Sequence, residues 1–421
     1  MRVAVLGSGG REHALVAALA RSPAVEALFV VPGNAGTAGA AENVAGVRIT
    51  DPAAVAAWVE EAGADLTVVG PEAPLVAGVA DALGARGHLV VGPSAAAARI
   101  EGSKAFAKEV MAAAGVPTAA AAAFADPAEA LAALGGFGPP WVVKADGLAA
   151  GKGVTVTADR AAAEAAVTDA LVAGVHGAAG RVVLLEEHLD GPEASVFGLC
   201  DGERVVALAP ARDYKRVGEG GRGPNTGGMG AYSPLADVPP EVVERVRSEI
   251  LEPTVRELAA RGAPYRGVLY AGLALTRGGP KVIEFNCRLG DPEAQAVLPR
   301  LASDPAALLL AAAEGRLDRC EVAWDPRACV TVVVASGGYP GGYRTGFAIG
   351  GLDDAAALDG VQVYHAGTAA GPGGEILTAG GRVLAVSALA EDVRAARSLA
   401  YQAAERIRFE GAYLRRDIAA W

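Results

Sequence analysis

No uninterrupted apolar run in this chain approaches a bilayer span, although 52% of its 421 residues are hydrophobic. That argues against a helical membrane anchor and leaves the apolar side chains for packed cores. No long Lys/Arg run offsets the formal charge of −11, which argues against a nucleic-acid partner. The four cysteines, Cys200, Cys287, Cys320 and Cys329, lack the CxxC spacing of a metal site and read as reduced thiols. His13, His88, His176, His188 and His365 show no ligand spacing either. No secretory hydrophobic stretch with a cleavage site opens the sequence. These absences predict a cytoplasmic protein that touches no membrane, and they exclude partners more than they identify any.

What is present is enough apolar sequence for two to four domains. Residues 1–102 alternate short apolar strands (Val3–Leu6, Leu28–Val31, Leu66–Val69, Leu89–Val91) with helices over 11–21, 52–62 and 74–86, the rhythm of a parallel α/β sheet. A helix over 103–115 leads to Val116-Pro117. From there to about residue 190, strands at 141–144, 154–157 and 182–186 with a helix at 160–173 predict a small α+β unit. Strands at 193–209, a polar glycine-rich loop from Arg212 to Pro234, a helix at 240–261 and paired strands at 267–276 and 280–287 follow. Helices near 292–314 complete the section 103–325. Residues 326–421 read as a mostly β domain with a helix near 391–407. Alanine runs such as 119–123 reflect coding bias and are given no structural weight.

The motif with the most chemistry is Ile283-Glu-Phe-Asn-Cys-Arg-Leu-Gly-Asp-Pro-Glu293. Strand alternation places Glu284, Asn286 and Arg288 on one face and turns Phe285 and Cys287 away. Two hard oxygens beside a fixed cation can hold a metal-bound nucleotide and stabilise a phosphoryl group in transfer. The bland alternative is a structural Glu284–Arg288 ion pair. A second motif, Gly147-Leu-Ala-Ala-Gly-Lys-Gly153, fails as a Walker loop: the glycine gap is one residue short, and Gly153 stands where Ser or Thr would hold the metal. Between two strands it reads instead as a flap over ATP, with Lys144 reaching phosphates from the strand before it; a plain hairpin is the alternative. Gly7-Ser-Gly-Gly-Arg-Glu-His13 lacks the third glycine of a dinucleotide fingerprint, although Gly9 and Gly10 leave backbone N–H groups free to approach an anion. Glu72, after the third strand, could accept from ribose hydroxyls. Arg212-Asp-Tyr-Lys-Arg216 and Pro224-Asn-Thr-Gly-Gly-Met-Gly230 combine cations, Asp213 and bare glycine backbone, as a substrate clamp would.

At these residues the sequence resembles the phosphoribosylamine–glycine ligase family of ATP-grasp enzymes. The likeness runs from Gly7-Ser-Gly-Gly-Arg-Glu-His-Ala14 through Val69-Gly-Pro-Glu-Ala-Pro-Leu75, Gly102-Ser-Lys104, Lys144–Gly153, Gly223–Pro234, Val282–Glu293 and Gly337-Gly-Tyr-Pro340, essentially the whole chain. Arg212 and Tyr214 depart from the residues common in that family. The resemblance implies an ATP-grasp fold between an N-terminal parallel α/β domain and a mostly β C-terminal domain, with the lid sharing the ATP cleft. It implies ATP-dependent joining of glycine to 5-phosphoribosylamine through glycyl phosphate, with Mg²⁺ or Mn²⁺ on Glu284 and Asn286. Arg288 would stabilise the phosphoryl group and Asp213 hold the glycine ammonium. ATP would be met by Lys104, Lys144, Gly147, Gly151, Lys152, Gly153, Glu186, Glu187 and Glu193. The other substrate contacts implied are Gly9, Gly10, Glu72, Lys215, Gly227, Gly228, Met229, Asp291 and, as a phosphate anchor, Arg382. A monomer is expected. The alternatives are another ATP-grasp ligase or carboxylase, a non-catalytic nucleotide-binding module, and a nicotinamide oxidoreductase.

Overall fold

The computed structural model describes residues 1–148 and 153–420. Gly151 and Lys152 lie outside the described residues. Among the described residues, no helix is long and apolar enough to cross a membrane.

Residues Arg2–Gly7, Ala27–Pro32, Glu42–Asn43, Leu66–Val69 and Leu89–Val91 form a wholly parallel sheet. Its spatial order runs 42–43, 27–32, 2–7, 66–69, 89–91. The order reverses beside strand 2–7, so the carboxyl ends at Gly7 and Gly70 open a crevice of the kind that receives ligands in such sheets. The helix expected over 74–86 is two short ones, Glu72–Val76 and Val79–Gly84, separated by Gly78 with φ +91°. A further helix, Ala95–Gly102, precedes helix Lys104–Ala114.

The lid carries an antiparallel sheet ordered 121–124, 183–186, 141–145, 154–157. Strand Ala121–Phe124 overlaps the alanine run 119–123. Its partner Val183–Glu186 lies some sixty residues later, and that pairing decides the conformation rather than local propensity. The central sheet orders 205–207, 193–201, 266–276 and 279–286, all antiparallel.

The stretch 212–234 is not the loop expected. It contains strands Arg212–Asp213, Arg216–Gly218, Arg222–Asn225 and Gly230–Ser233. Strand Gly230–Ser233 pairs with Ala328–Ala335 and so joins the C-terminal sheet, whose other strands are Arg212–Asp213, Arg382–Ala390 and Val361–His365. The candidate clamp is therefore built into the C-terminal unit. That unit also meets the N-terminal one at a histidine seam, where the His365 N–H donates to His13 Nδ1 at 2.8 Å.

Candidate active site

Strand Gly279–Asn286 carries Glu284 and Asn286 on the face opposite Phe285, which is 3% exposed in the core; Cys287, just past the strand, is buried beside it. Ile283 bulges out of the ladder, since Glu284 opposes Gly272 while Val282 opposes Leu273. Gly272 clears the space under Glu284: a Cβ there would sit 3.3 Å from Glu284 Cγ. Among the described residues the Glu284 carboxylate and the Asn286 amide have no hydrogen-bond partner, which leaves both oxygens available. No group of three or more His, Cys, Asp or Glu that could hold a metal occurs among those residues. A two-oxygen protein contribution still fits a hard cation that takes its remaining ligands from phosphates and water.

Arg288 lies beyond the strand, so the three-residue face expected from alternation ends at Asn286. Its guanidinium turns to the N-terminal unit: Nη2 donates to Glu101 at 2.8 Å and Nε to Glu72 at 3.3 Å. The Glu284–Arg288 ion pair is absent. Burial alone would oppose ionisation of Glu72, but Arg288, the backbone and Arg11 outweigh it and hold the carboxyl below its ordinary range.

The lysines converge on the same strand from the lid side. Lys144 Nζ donates to Glu186 Oε2 at 2.9 Å and to the bulged Ile283 carbonyl at 3.0 Å, one residue from Glu284. Lys108 also reaches Glu186, at 3.2 Å. Lys104 Nζ donates to the carbonyls of Ala145 and Gly147, beside the glycine-rich segment. Burial holds the Lys104 amine below its ordinary value, against the pull of Glu284 and with the push of Lys144. Gly147 packs flat against Ala179, and Gly153 is buried beyond it. Glu186 pairs with both Lys108 and Lys144, and the Glu187 N–H donates to the Ala120 carbonyl at 2.8 Å.

The first glycine turn is also not an anion cradle. Glu12, 2% exposed, folds back so that Oε2 accepts the Gly9 N–H at 2.6 Å while Arg11 Nε holds Oε1 at 2.6 Å. A Cβ at Gly7 or Gly70 would overlap this carboxylate, which is why both positions are glycine. Its negative charge occupies the place a pyrophosphate would need, which removes the nicotinamide reading. Gly9 and Gly10 instead face Asp291 and Gln295.

On the opposite wall, Lys215 bonds Glu193 at 2.7 Å and stands beside Asp213. Burial, with Glu293, Glu193 and Glu284 adding to it and Lys215 opposing, pushes Asp213 up to about 7. Lys215 drives Glu193 below its usual range. Beneath them the Ser195 hydroxyl meets Tyr270 at 2.9 Å and donates to Glu293 at 3.3 Å. Met229 is corrected: it is fully buried in the C-terminal core, and both its backbone groups serve sheet contacts. Arg382 is no free phosphate anchor, because its guanidinium is spent on the carbonyls of Gly227, Gly228 and Asp291 and on the Asp291 carboxylate at 3.2 Å. Burial opposes ionisation of Asp291, yet Arg382 and Arg11 hold it below its ordinary range. Gly228, at φ +107°, lets Pro292 pack where a side chain would stand.

Sequence reasoning missed Glu12, Glu101, Lys108, Ser195, Tyr270 and Gln295. The available signal was their place: Glu12 inside the glycine turn, Glu101 and Lys108 flanking Lys104, and Gln295 two residues past Glu293.

The described site thus gathers the open oxygens of Glu284 and Asn286, the lysines 104, 108 and 144, and the half-buried Asp213 beside Lys215. Three family models of phosphoribosylglycinamide synthetase match the chain: the N domain over residues 1–101, the ATP-grasp (A) domain over 102–294 and the C domain over 329–421. The chain belongs to the phosphoribosylglycinamide synthetase family. A phosphoribosylamine–glycine ligase of Streptomyces coelicolor is 54% identical over 100% of this chain and 99% of its own length. One from Pseudomonas aeruginosa is 52% identical over 99% and 97%. The crystal structure of the Thermotoga maritima phosphoribosylamine–glycine ligase superposes with a TM-score of 0.86 at 33% identity, covering 99% of this chain and 100% of that one. A biotin carboxylase domain from Hydrogenobacter thermophilus shares the fold alone, at TM-score 0.73 and 18% identity over 98% of this chain and 91% of that one. As a family member the chain is an ATP-dependent ligase of purine biosynthesis with the expected ATP-grasp architecture.

Proposed function

We propose that the chain joins glycine to 5-phosphoribosylamine at the cost of one ATP, releasing glycinamide ribonucleotide, ADP and phosphate, as a cytoplasmic monomer. The observation that carries this reading is the pair of unpartnered oxygens, Glu284 and Asn286, set between Lys104 and Lys144 on one side and the half-buried Asp213 on the other.

A carboxylate does not accept an amine at neutral pH, because oxide is too poor a leaving group. Transfer of the γ-phosphoryl group to glycine turns the leaving group into phosphate. Glu284 and Asn286 would hold Mg²⁺ or Mn²⁺, which when bound supplies Lewis-acid neutralisation of phosphate charge. Lys104 and Lys144 place positive charge beside the same phosphates, and Gly147 and Gly153 bring lid backbone close to them. Glu193 edges the nucleotide side of the cleft. Asp213, ionised once an ammonium sits against it, orients glycine with Lys215 fixed alongside. Arg288 faces the phosphoryl group as it arrives on glycine and as it leaves; one preorganised contact of this kind is worth roughly 3 kcal/mol, about a hundredfold in rate. Glu72, Gly9, Gly10 and Asp291 border the phosphoribosylamine, with Gly227 and Gly228 held in place by Arg382. Lid closure excludes the water that would hydrolyse glycyl phosphate.

A coupled ADP-release assay with freshly generated phosphoribosylamine, omitting each component in turn, tests the reading. ADP appears only when glycine and phosphoribosylamine are both present. Release driven by bicarbonate instead would make the chain a carboxylase, and none at all a binding module.

A further inference from the structure

We propose that Glu101, in the N-terminal unit, is a positioning residue that fixes the end of the Glu284–Asn286 strand and aims Arg288 across the cleft. This rests on the ligase reading above. The strand ladder stops with Asn286 opposite Tyr270, so the next N–H, that of Cys287, has no strand partner in a buried place. Glu101 Oε2 accepts it at 2.7 Å, while Oε1 accepts Arg288 Nη2 at 2.8 Å. One carboxylate therefore grips two consecutive residues and sets how the backbone turns after Asn286.

The two carboxylates on Arg288 are not equivalent. Glu101 is 7% exposed by its side chain and close; Glu72 is 31% exposed and stands at 3.3 Å. Glu72 can exchange its guanidinium contact for a substrate group, whereas Glu101 stays. Its location is also costly. Glu101 sits in the last turn of helix Ala95–Gly102, where the helix dipole disfavours negative charge, and burial raises its carboxyl above the ordinary range. A scaffold residue could be apolar there; a carboxylate is needed only to hold Cys287 and Arg288.

The connector that follows reaches the lid. Ser103 donates to both Asp146 oxygens at 3.1 Å, Ala105 N–H donates to Asp146 Oδ1 at 2.7 Å, and Lys104 holds the carbonyls around it. Residues 101–105 thus bind the strand end on one side and the base of the glycine-rich segment on the other. Lid position and Arg288 aim share one short piece of chain.

The test compares the wild-type chain, Glu101→Gln and Glu101→Asp in the ADP-release assay, with thermal unfolding alongside. Gln keeps an acceptor for Cys287 but removes the charge from Arg288; Asp keeps the charge and withdraws it by one methylene. Misplacing a reacting group by about 1 Å costs up to about a hundredfold in rate, so kcat should fall about tenfold to a hundredfold, with the KM for MgATP within about threefold. Asp should recover part of the loss. Should Glu101→Gln not fold, Glu101→Asp carries the same expectation. A folded variant with wild-type kcat overturns the proposal. So does a joint loss of kcat, MgATP KM and unfolding midpoint in which Asp is no better than Gln. If the wild-type chain releases no ADP, the ligase reading itself fails and this proposal falls with it.

Discussion

The lid and the N-terminal unit are both small α/β assemblies, and they bury their apolar residues in different company. The lid packs Ala130, Leu134, Trp141, Val143, Ala163, Val167, Ala170, Val183 and Leu185 against one another, with no described residue from elsewhere in the chain in that cluster. The N-terminal sheet shares each face. Leu6, Val69 and Leu75 belong to one core with Val196, Leu269 and Phe285 of the central sheet; Val3, Val5 and Leu19 belong to another with Phe197, Tyr270 and Leu309. Between lid and body the described hydrogen bonds and ion pairs include Lys144 on Ile283, Lys104 on Ala145 and Gly147, Lys108 on Glu186, Thr118 on Val282, and Asp146 on residues 103–105. A self-contained core joined through hydrogen bonds can move as one piece, and a shared core cannot. The open oxygens of Glu284 and Asn286 sit on the body with Arg288 and the clamp, so a lid moving as one piece would change its distance to all of them.

This contrast can be broken most forcefully from the body side. Leu269→Ala, in a fully buried shared-core site, should cost about 2–5 kcal/mol and lower a single unfolding transition common to both units. Two separated transitions in calorimetry would show that the core is not shared in energy. Leu185→Ala in the lid removes a side chain of the same size from the smaller core. Amide exchange should then accelerate across residues 121–186 and stay unchanged over residues 2–91, because the opening is local; acceleration throughout the chain would contradict an independent lid.

A smaller effect probes the seam that joins the N- and C-terminal units. His13 and His365 are both held at about 4, below the ordinary 6.5, by burial and, for His13, by His365 as well. Each stays neutral in the fold, so the unfolded chain binds more protons between pH 6.5 and 4. Stability is full above about 6.5 and declines as pH falls through that window, on the order of 1–2 kcal/mol per histidine at pH 5. Urea unfolding at pH 7 and pH 5 measures this, and His13→Gln with His365→Gln should flatten it. The mildest test is kinetic. With Asp213 at about 7 in the free enzyme, kcat/KM for glycine should fall on the acid side of that value, since a neutral carboxyl cannot hold an ammonium. Asp213→Asn should abolish the acid limb together with most of the activity; an unshifted limb would assign it elsewhere.

Local pattern carried the parts of the fold whose partners are near in sequence. The parallel strands of the N-terminal unit, strand Val154–Thr157, and the inward turn of Phe285 against Glu284 and Asn286 were legible from alternation alone. Strand Ala121–Phe124 was not, because alanine has weak strand preference and its partner is distant. Nor was the joining of Gly230–Ser233 to Ala328–Ala335, which turned an expected loop into sheet and placed Met229 in a core. At the site, side-chain types were readable and commitments were not. Glycines at 7 and 70 make room for Glu12 rather than for a ligand, and Arg382 and Arg288 carry partners contributed from far along the chain. Only three-dimensional contact reveals which partner each charge meets.

The most direct measurement is the dependence of ADP release on free Mg²⁺ for the wild-type chain and Glu284→Gln at saturating glycine and phosphoribosylamine. Glu284→Gln should unfold at the same temperature, lose about a hundredfold or more in kcat and need far more Mg²⁺ to reach half of its maximum. Wild-type turnover by Glu284→Gln at limiting Mg²⁺ would contradict the metal–nucleotide site on which the account is built.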